Sequence, residues 1–172
     1  MDEDMKPIVS IIMGSTSDLP VMEKAADFLD KMEIPFEMNA LSAHRTPLEV
    51  ERFAQEAEAR GIRVVIAGAG MAAALPGVIA AGTTVPVIGV PIKGMLDGLD
   101  ALLSIVQMPP GIPVATVGVN GALNAAILAA EMLALSDAGL AGRLKTYKEG
   151  LKTKIVNANA ELQKIQYRNK TN

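Results

Sequence analysis

Apolar runs of strand length recur along the chain at residues 8–13, 36–41, 64–67, 85–90 and 113–119, and the segments between them carry helical spacing. That alternation predicts a parallel sheet covered by helices on both faces. Within 19–32, Val21, Ala25, Phe28, Leu29 and Met32 form one stripe, behind Ser17 and Asp18, either of which can cap the helix. Thr46-Pro47-Leu48-Glu49 reads as a capping box with proline at the first helical position. The second helix is thus expected over 47–60, ended by Gly61, with His44 and Arg45 just outside its N-terminus. Residues 122–135 are apolar nearly all round, which implies burial on more than one side, as in a subunit interface. After Ser136 and Asp137, a stripe of Leu140, Leu144, Tyr147, Leu151, Ile155, Leu162 and Ile165 predicts a long amphipathic helix. A compact five-stranded sheet has little room for it, so it is expected to project and pack on another subunit.

The stretch 64–92 contains no charged residue and is long enough to span a bilayer. Gly68, Gly70, Pro76, Gly77, Gly82, Pro86, Gly89 and Pro91 divide it into strand, turn, short helix, turn and strand. The acidic Met1-Asp2-Glu3-Asp4 and the shortness of the following apolar run argue against a signal peptide. A cytoplasmic protein without a membrane span is expected. The fold class is three-layer α/β/α, with a parallel five-stranded flavodoxin-like sheet and a long C-terminal helix.

Composition sharpens this. Half of the 172 residues are apolar, yet only three Phe, two Tyr and no Trp contribute, so the core is built from Ala, Val, Ile, Leu and Met. Cysteine is absent, which excludes disulfides, thiolate metal sites and cysteine nucleophiles. One histidine and no dense carboxylate cluster argue against zinc. Residues 137–172 carry eight Lys or Arg against Asp137, Glu149 and Glu161, a net +5, which leaves −8 on the preceding body. Such a tail suits nucleic acid, but only Tyr147 and Tyr167 interleave it; a solvated helix face lying against acidic protein is the favoured reading.

Three loops, each following a predicted strand, carry candidate chemistry. Gly14-Ser15-Thr16-Ser17-Asp18 enters a helix, where close backbone approach, hydroxyl donors and free N–H groups suit a phosphate; the alternative is a simple capped turn. It is not a Walker A loop, since the Gly-Lys pair and the spacing are missing. Ser42-Ala43-His44-Arg45 contains the sole histidine, and imidazole is the side chain suited to both taking and giving a proton near neutrality. Arg45 offers a rigid fork to a phosphate or forms a surface salt bridge; His44 acts on protons or is an ordinary turn histidine. The third loop, Gly68-Ala69-Gly70-Met71-Ala72-Ala73-Ala74-Leu75-Pro76-Gly77, nearly matches the dinucleotide fingerprint, but the acidic partner about twenty residues on is missing and the next acid is Asp97. Close approach to a planar heterocycle fits it better. All three loops fall at the carboxyl ends of parallel strands, where open α/β sheets bind ligands.

Gly14-Ser15-x-Ser17-Asp18, Ser42-Ala43-His44-Arg45-Thr46-Pro47, Ala67-Gly68-Ala69-Gly70, Leu75-Pro76-Gly77 and Ser104-Ile105-Val106-Gln107-Met108-Pro109-x-Gly111-Ile112-Pro113-Val114-Ala115-Thr116-Val117 together resemble the PurE family of purine biosynthesis, in order and over about 8–135. The resemblance implies a mutase moving the carboxylate of N5-carboxyaminoimidazole ribonucleotide from the exocyclic nitrogen to C4. It implies no metal or organic cofactor, and an octamer with sites between subunits. It implies His44 as the proton shuttle, with Gly14, Ser15, Ser17, Asp18, Ser42, Ala43, Arg45, Gly68, Ala69, Gly70, Met71 and Leu75 binding substrate. Residues 1–136 form the catalytic domain in this reading, and 137–172 a helical extension of it. Two departures stand out: Ala74 occupies a position where many members carry a second histidine, and Met71 one where many carry glycine. The competing readings are a carboxylase using aminoimidazole ribonucleotide and carbon dioxide directly, a nucleotide-binding module without chemistry, and a structural assembly protein. Neither nucleic acid nor a membrane is an expected partner.

Overall fold

A computed structural model describes residues 6–172; the acidic residues 1–4, used above against a signal peptide, lie outside the described residues. β1 (Val9–Met13), β2 (Phe36–Ala40), β3 (Val64–Ala69), β4 (Val87–Pro91) and β5 (Ala115–Thr116) pair in parallel in the order β2-β1-β3-β4-β5. The helices are α1 (Leu19–Lys31), α2 (Pro47–Glu56), α3 (Leu75–Gly82), α4 (Leu99–Val106), α5 (Ala122–Ala134) and α6 (Ala138–Gln163). The three-layer α/β/α architecture expected from the alternation is the one observed.

The three central strands are buried along their whole length, as a parallel sheet covered on both faces requires. Their alternating side chains divide the core. Val9, Ile11, Val64, Ile66, Ile88 and Val90 belong with α1 and α5, whereas Ile12, Val65, Ala67 and Val87 belong with α2, α3 and α4. α5 buries Ala122, Ala125, Ala126, Ala129 and Ala130, side chains small enough for α1 and the sheet to approach closely. Its other flank meets α6, where Leu140 and Leu144 are buried and Tyr147 packs edge-on against Phe28 at 5.1 Å. Most of the all-round apolar character of α5 is thus absorbed within the chain, although Leu123, and Leu135 just past its end, remain exposed. α6 starts where the Asp137 carboxylate accepts from the Leu140 N–H at 2.9 Å. Beyond Lys148, which pairs with Glu131 at 2.7 Å, it projects, with Leu151, Ile155 and Leu162 exposed by 48%, 64% and 55%.

Several local expectations change. Thr46 does not cap α2: its hydroxyl accepts from the Ser42 N–H at 2.9 Å and donates to the Ser42 carbonyl, which closes the preceding turn instead. Neither Ser17 nor Asp18 caps α1 through its side chain; Ser15 accepts from the Ser17 N–H and caps the short 3-10 turn Thr16–Asp18 that leads into the helix. α2 ends at Glu56 and passes through further turns to Gly61, where φ is +89°. There Gly61 N–H bonds Glu58 O and Ile62 N–H bonds Ala57 O, a Schellman closure, so the glycine stops the turns as expected. β5 keeps only Ala115–Thr116 of the run 113–119, because Pro113 has no N–H and only Ala115 and Thr116 pair with β4. The uncharged stretch 64–92 is strand, turn, helix, turn and strand, and no helix among the described residues is long and apolar enough to cross a membrane.

Candidate active site

All five strands run the same way, so their C-terminal ends share one edge of the sheet. β1, β2 and β3 are adjacent there, and each releases the chain into a loop before α1, α2 and α3. Each of these helices has proline at its first or second position, where the missing N–H costs nothing and φ is preset. Their free N–H groups turn toward the same edge, which favours an anion.

The loops enclose a cavity of about 410 Å³ lined by Gly14, Ser15, Ser17, Asp18, Ser42, Ala43, His44, Arg45, Ala69, Gly70, Met71, Ala73, Ala74 and Leu75. Every candidate residue from the sequence is in this lining except Gly68. That residue points elsewhere because side chains alternate along β3: a Cβ on Gly68 would lie 2.6 Å from Met22 Sδ, within the α1 layer. Gly68 therefore packs against α1 and stands outside the cavity lining. Ala73 was missed, and Ala74 enters the lining although it figured above only as a departure from the family pattern. Met71 and Ala73 have φ of +53° and +34°, a left-handed backbone that non-glycine residues rarely adopt, and it concentrates strain in the Gly70 turn.

Arg45 ties two of the loops together. Its Nη2 donates to the Gly14 carbonyl at 2.7 Å, and its Nε and backbone N–H both donate to Ser42 Oγ at 3.2 Å. It takes part in no salt bridge among the described residues, and guanidinium hydrogens remain for an anion. His44 is exposed at the rim, and its ring makes no hydrogen bond to a described residue. Asp18 is half-buried, and burial pushes its carboxyl above the ordinary value; the Ser17 hydroxyl, the backbone of Ser15 and Gly14, and the Arg45 charge pull the other way. Among the described residues no cluster of three or more His, Cys, Asp or Glu is arranged to hold a metal ion.

A roomier groove of about 620 Å³, lined by residues such as Lys31, Met32, Arg143, Tyr147 and Leu151, lies where α1 ends. That is the opposite end of the sheet from the carboxyl edge, and none of the candidate residues reaches it.

Comparison with known proteins agrees with the motifs. A family model described as AIR carboxylase matches residues 8–154. The chain belongs to this family, the one called PurE above. A relative from Pyrococcus abyssi, named N5-carboxyaminoimidazole ribonucleotide mutase, is 60% identical over 147 residues, covering 85% of this chain and 84% of that protein. A Thermotoga maritima protein of the same name is 52% identical over 163 residues, covering 94% and 95%. A Candida glabrata protein named phosphoribosylaminoimidazole carboxylase is 50% identical over 167 residues, 96% of this chain but only 29% of that longer protein. Among solved structures, Treponema denticola PurE superposes with a TM-score of 0.83 at 33% identity, covering 92% of this chain and 99% of that one.

Proposed function

We propose that the cavity is the active site of an N5-carboxyaminoimidazole ribonucleotide mutase, and that His44 moves its protons. The observation that carries the reading is the meeting of the sole histidine, Arg45 and the Gly70 turn around one cavity fed by three helix N-termini. Gly14, Ser15, Ser17 and Arg45 hold the 5′-phosphate, and Asp18 orients the ribose or the sugar-phosphate loop. Ser42, Ala43, Ala69, Gly70, Met71 and Leu75 enclose the heterocycle.

The chemistry balances with a single imidazole. His44 gives a proton to the exocyclic nitrogen as the N–carboxylate bond breaks, leaving aminoimidazole ribonucleotide and carbon dioxide. Carbon dioxide turns over C4 and bonds there, and His44 takes the C4 proton, which restores the aromatic ring and the starting acid. Confinement matters because released gas would diffuse into solvent, whereas a closed pocket keeps its effective concentration high. No residue at position 74 can assist, since Ala74 has no proton to give.

The reading extends to a cytoplasmic homo-octamer in which residues 137–172 pack on a neighbouring subunit. It is supported by the apolar residues left exposed on α4 and α6, namely Leu99, Leu103, Val106, Leu151, Ile155 and Leu162. The second reading, direct carboxylation of aminoimidazole ribonucleotide, is favoured by the names of the Candida relative and of the family model. Against it, the 106–109 segment and the Ala67-Gly68-Ala69-Gly70 loop are closer to the mutase pattern. Supplying purified protein separately with the N5-carboxylated nucleotide and with aminoimidazole ribonucleotide plus bicarbonate tests both. Preference for the first supports the mutase, preference for the second the carboxylase, and conversion of neither overturns both.

A further inference from the structure

We propose that Asn120, which lies outside the cavity, is a positioning residue that holds the Gly70 turn from behind; its catalytic consequence rests on the mutase reading. Asn120 follows β5 with φ of +56° and is half-buried. Its backbone N–H donates to the Pro91 carbonyl at 2.8 Å, and its side-chain Oδ1 accepts from the Lys93 N–H at 2.8 Å. The two bonds bracket Ile92, the residue by which the chain leaves β4. Ile92 is buried, and it abuts the site: its N–H donates to the Ala69 carbonyl at 2.9 Å, and its own carbonyl lies 3.4 Å from where a Gly70 Cβ would be.

Asn120 thus latches a residue on which Gly70 rests. The turn it supports carries two left-handed non-glycine residues, Met71 and Ala73, and a strained turn holds its shape only where its surroundings over-determine it. Gln would not serve at position 120, because only asparagine and aspartate combine tolerance of positive φ with an acceptor close to the backbone. The Gly14 loop and Arg45 are anchored through Ser42 and β1, so the phosphate end of the site does not depend on this latch.

The test compares Asn120→Gly, which keeps the backbone freedom and loses the acceptor, with Asn120→Asp, which keeps both. Asn120→Gly is expected to lower kcat per folded site about 10-fold, with nucleotide affinity within about twofold of the parent, and Asn120→Asp to restore kcat to within about threefold. Amide hydrogen exchange over 69–74 should accelerate in the glycine variant and return toward the parent in the aspartate variant. Unchanged exchange in Asn120→Gly, or an aspartate variant that fails to restore it, overturns the latch. A kcat per folded site that stays constant while only the melting temperature drops overturns the positioning role. If the parent converts neither substrate, the mutase reading fails separately, and the exchange data still decide the latch.

Discussion

Gly68 and Gly89 make a matched pair of packing glycines whose replacement separates architecture from substrate binding. A Cβ at Gly68 would sit 2.6 Å from Met22 Sδ and 3.1 Å from its Cε, whereas one at Gly89 would sit 2.4 Å from Ile105 Cγ2 and 3.0 Å from Val114 Cγ1. Met22 is fully buried, but its unbranched chain can bend away; Ile105 and Val114 are branched near the backbone and cannot. Overpacking of a tight core costs about 1–3 kcal/mol, so Gly68→Ala belongs near 1–2 and Gly89→Ala near or above 3. For a chain of this size those costs lower Tm by about 2–8 °C and at least 6 °C respectively, compared by calorimetry at equal protein concentration. At a temperature where both remain folded, Gly68→Ala should keep the KM of the parent. A Gly68→Ala protein with unchanged Tm and a raised KM would refute the packing argument and favour a substrate contact at Gly68.

Two further outcomes concern the site. Arg45→Lys keeps a cation but cannot reach the Gly14 carbonyl, Ser42 and a phosphate together, so KM should rise roughly 10–100-fold with kcat within about threefold; steady-state kinetics reads the split, and an unchanged KM would count against phosphate binding. Asp18 is raised above its ordinary 3.8 by burial, so the folded state takes up the proton before the unfolded state does. Stability therefore falls as pH rises from that ordinary value through the raised one, and the cost persists at neutral pH. Asp18→Asn should melt higher than the parent at pH 7 and bind the nucleotide more weakly; a lower Tm would contradict the burial argument.

Much of the fold could be read from the chain, and the reasons differ by element. The central strands announce themselves because Ile11-Ile12, Val64-Val65-Ile66 and Val87-Ile88 must be apolar on both sides of a covered sheet. α4 escaped separate notice: Ala101 and Ile105 are buried, but Leu99, Leu103 and Val106 on its outer side are equally apolar, so no stripe stands out. The capping box at Thr46 misled because a threonine hydroxyl has two local choices, and here the turn beginning at Ser42 takes it. Motif spacing also says nothing of which face of β3 a residue presents, so the packing of Gly68 against Met22 is visible only in the structure. The loops around His44 were legible since strand ends in a parallel sheet converge by topology alone, whereas the Asn120 latch depends on hydrogen bonds between segments distant in sequence.

The central claim is tested most directly by His44→Asn, which keeps polarity and approximate size but cannot shuttle a proton at neutral pH. Single-turnover conversion of N5-carboxyaminoimidazole ribonucleotide and calorimetric binding of the same nucleotide would be measured on one preparation. Turnover should fall by at least about 100-fold while affinity stays within about threefold. Residual turnover near that of the parent, or affinity lost in parallel with it, would contradict the assignment of the proton transfers to this imidazole.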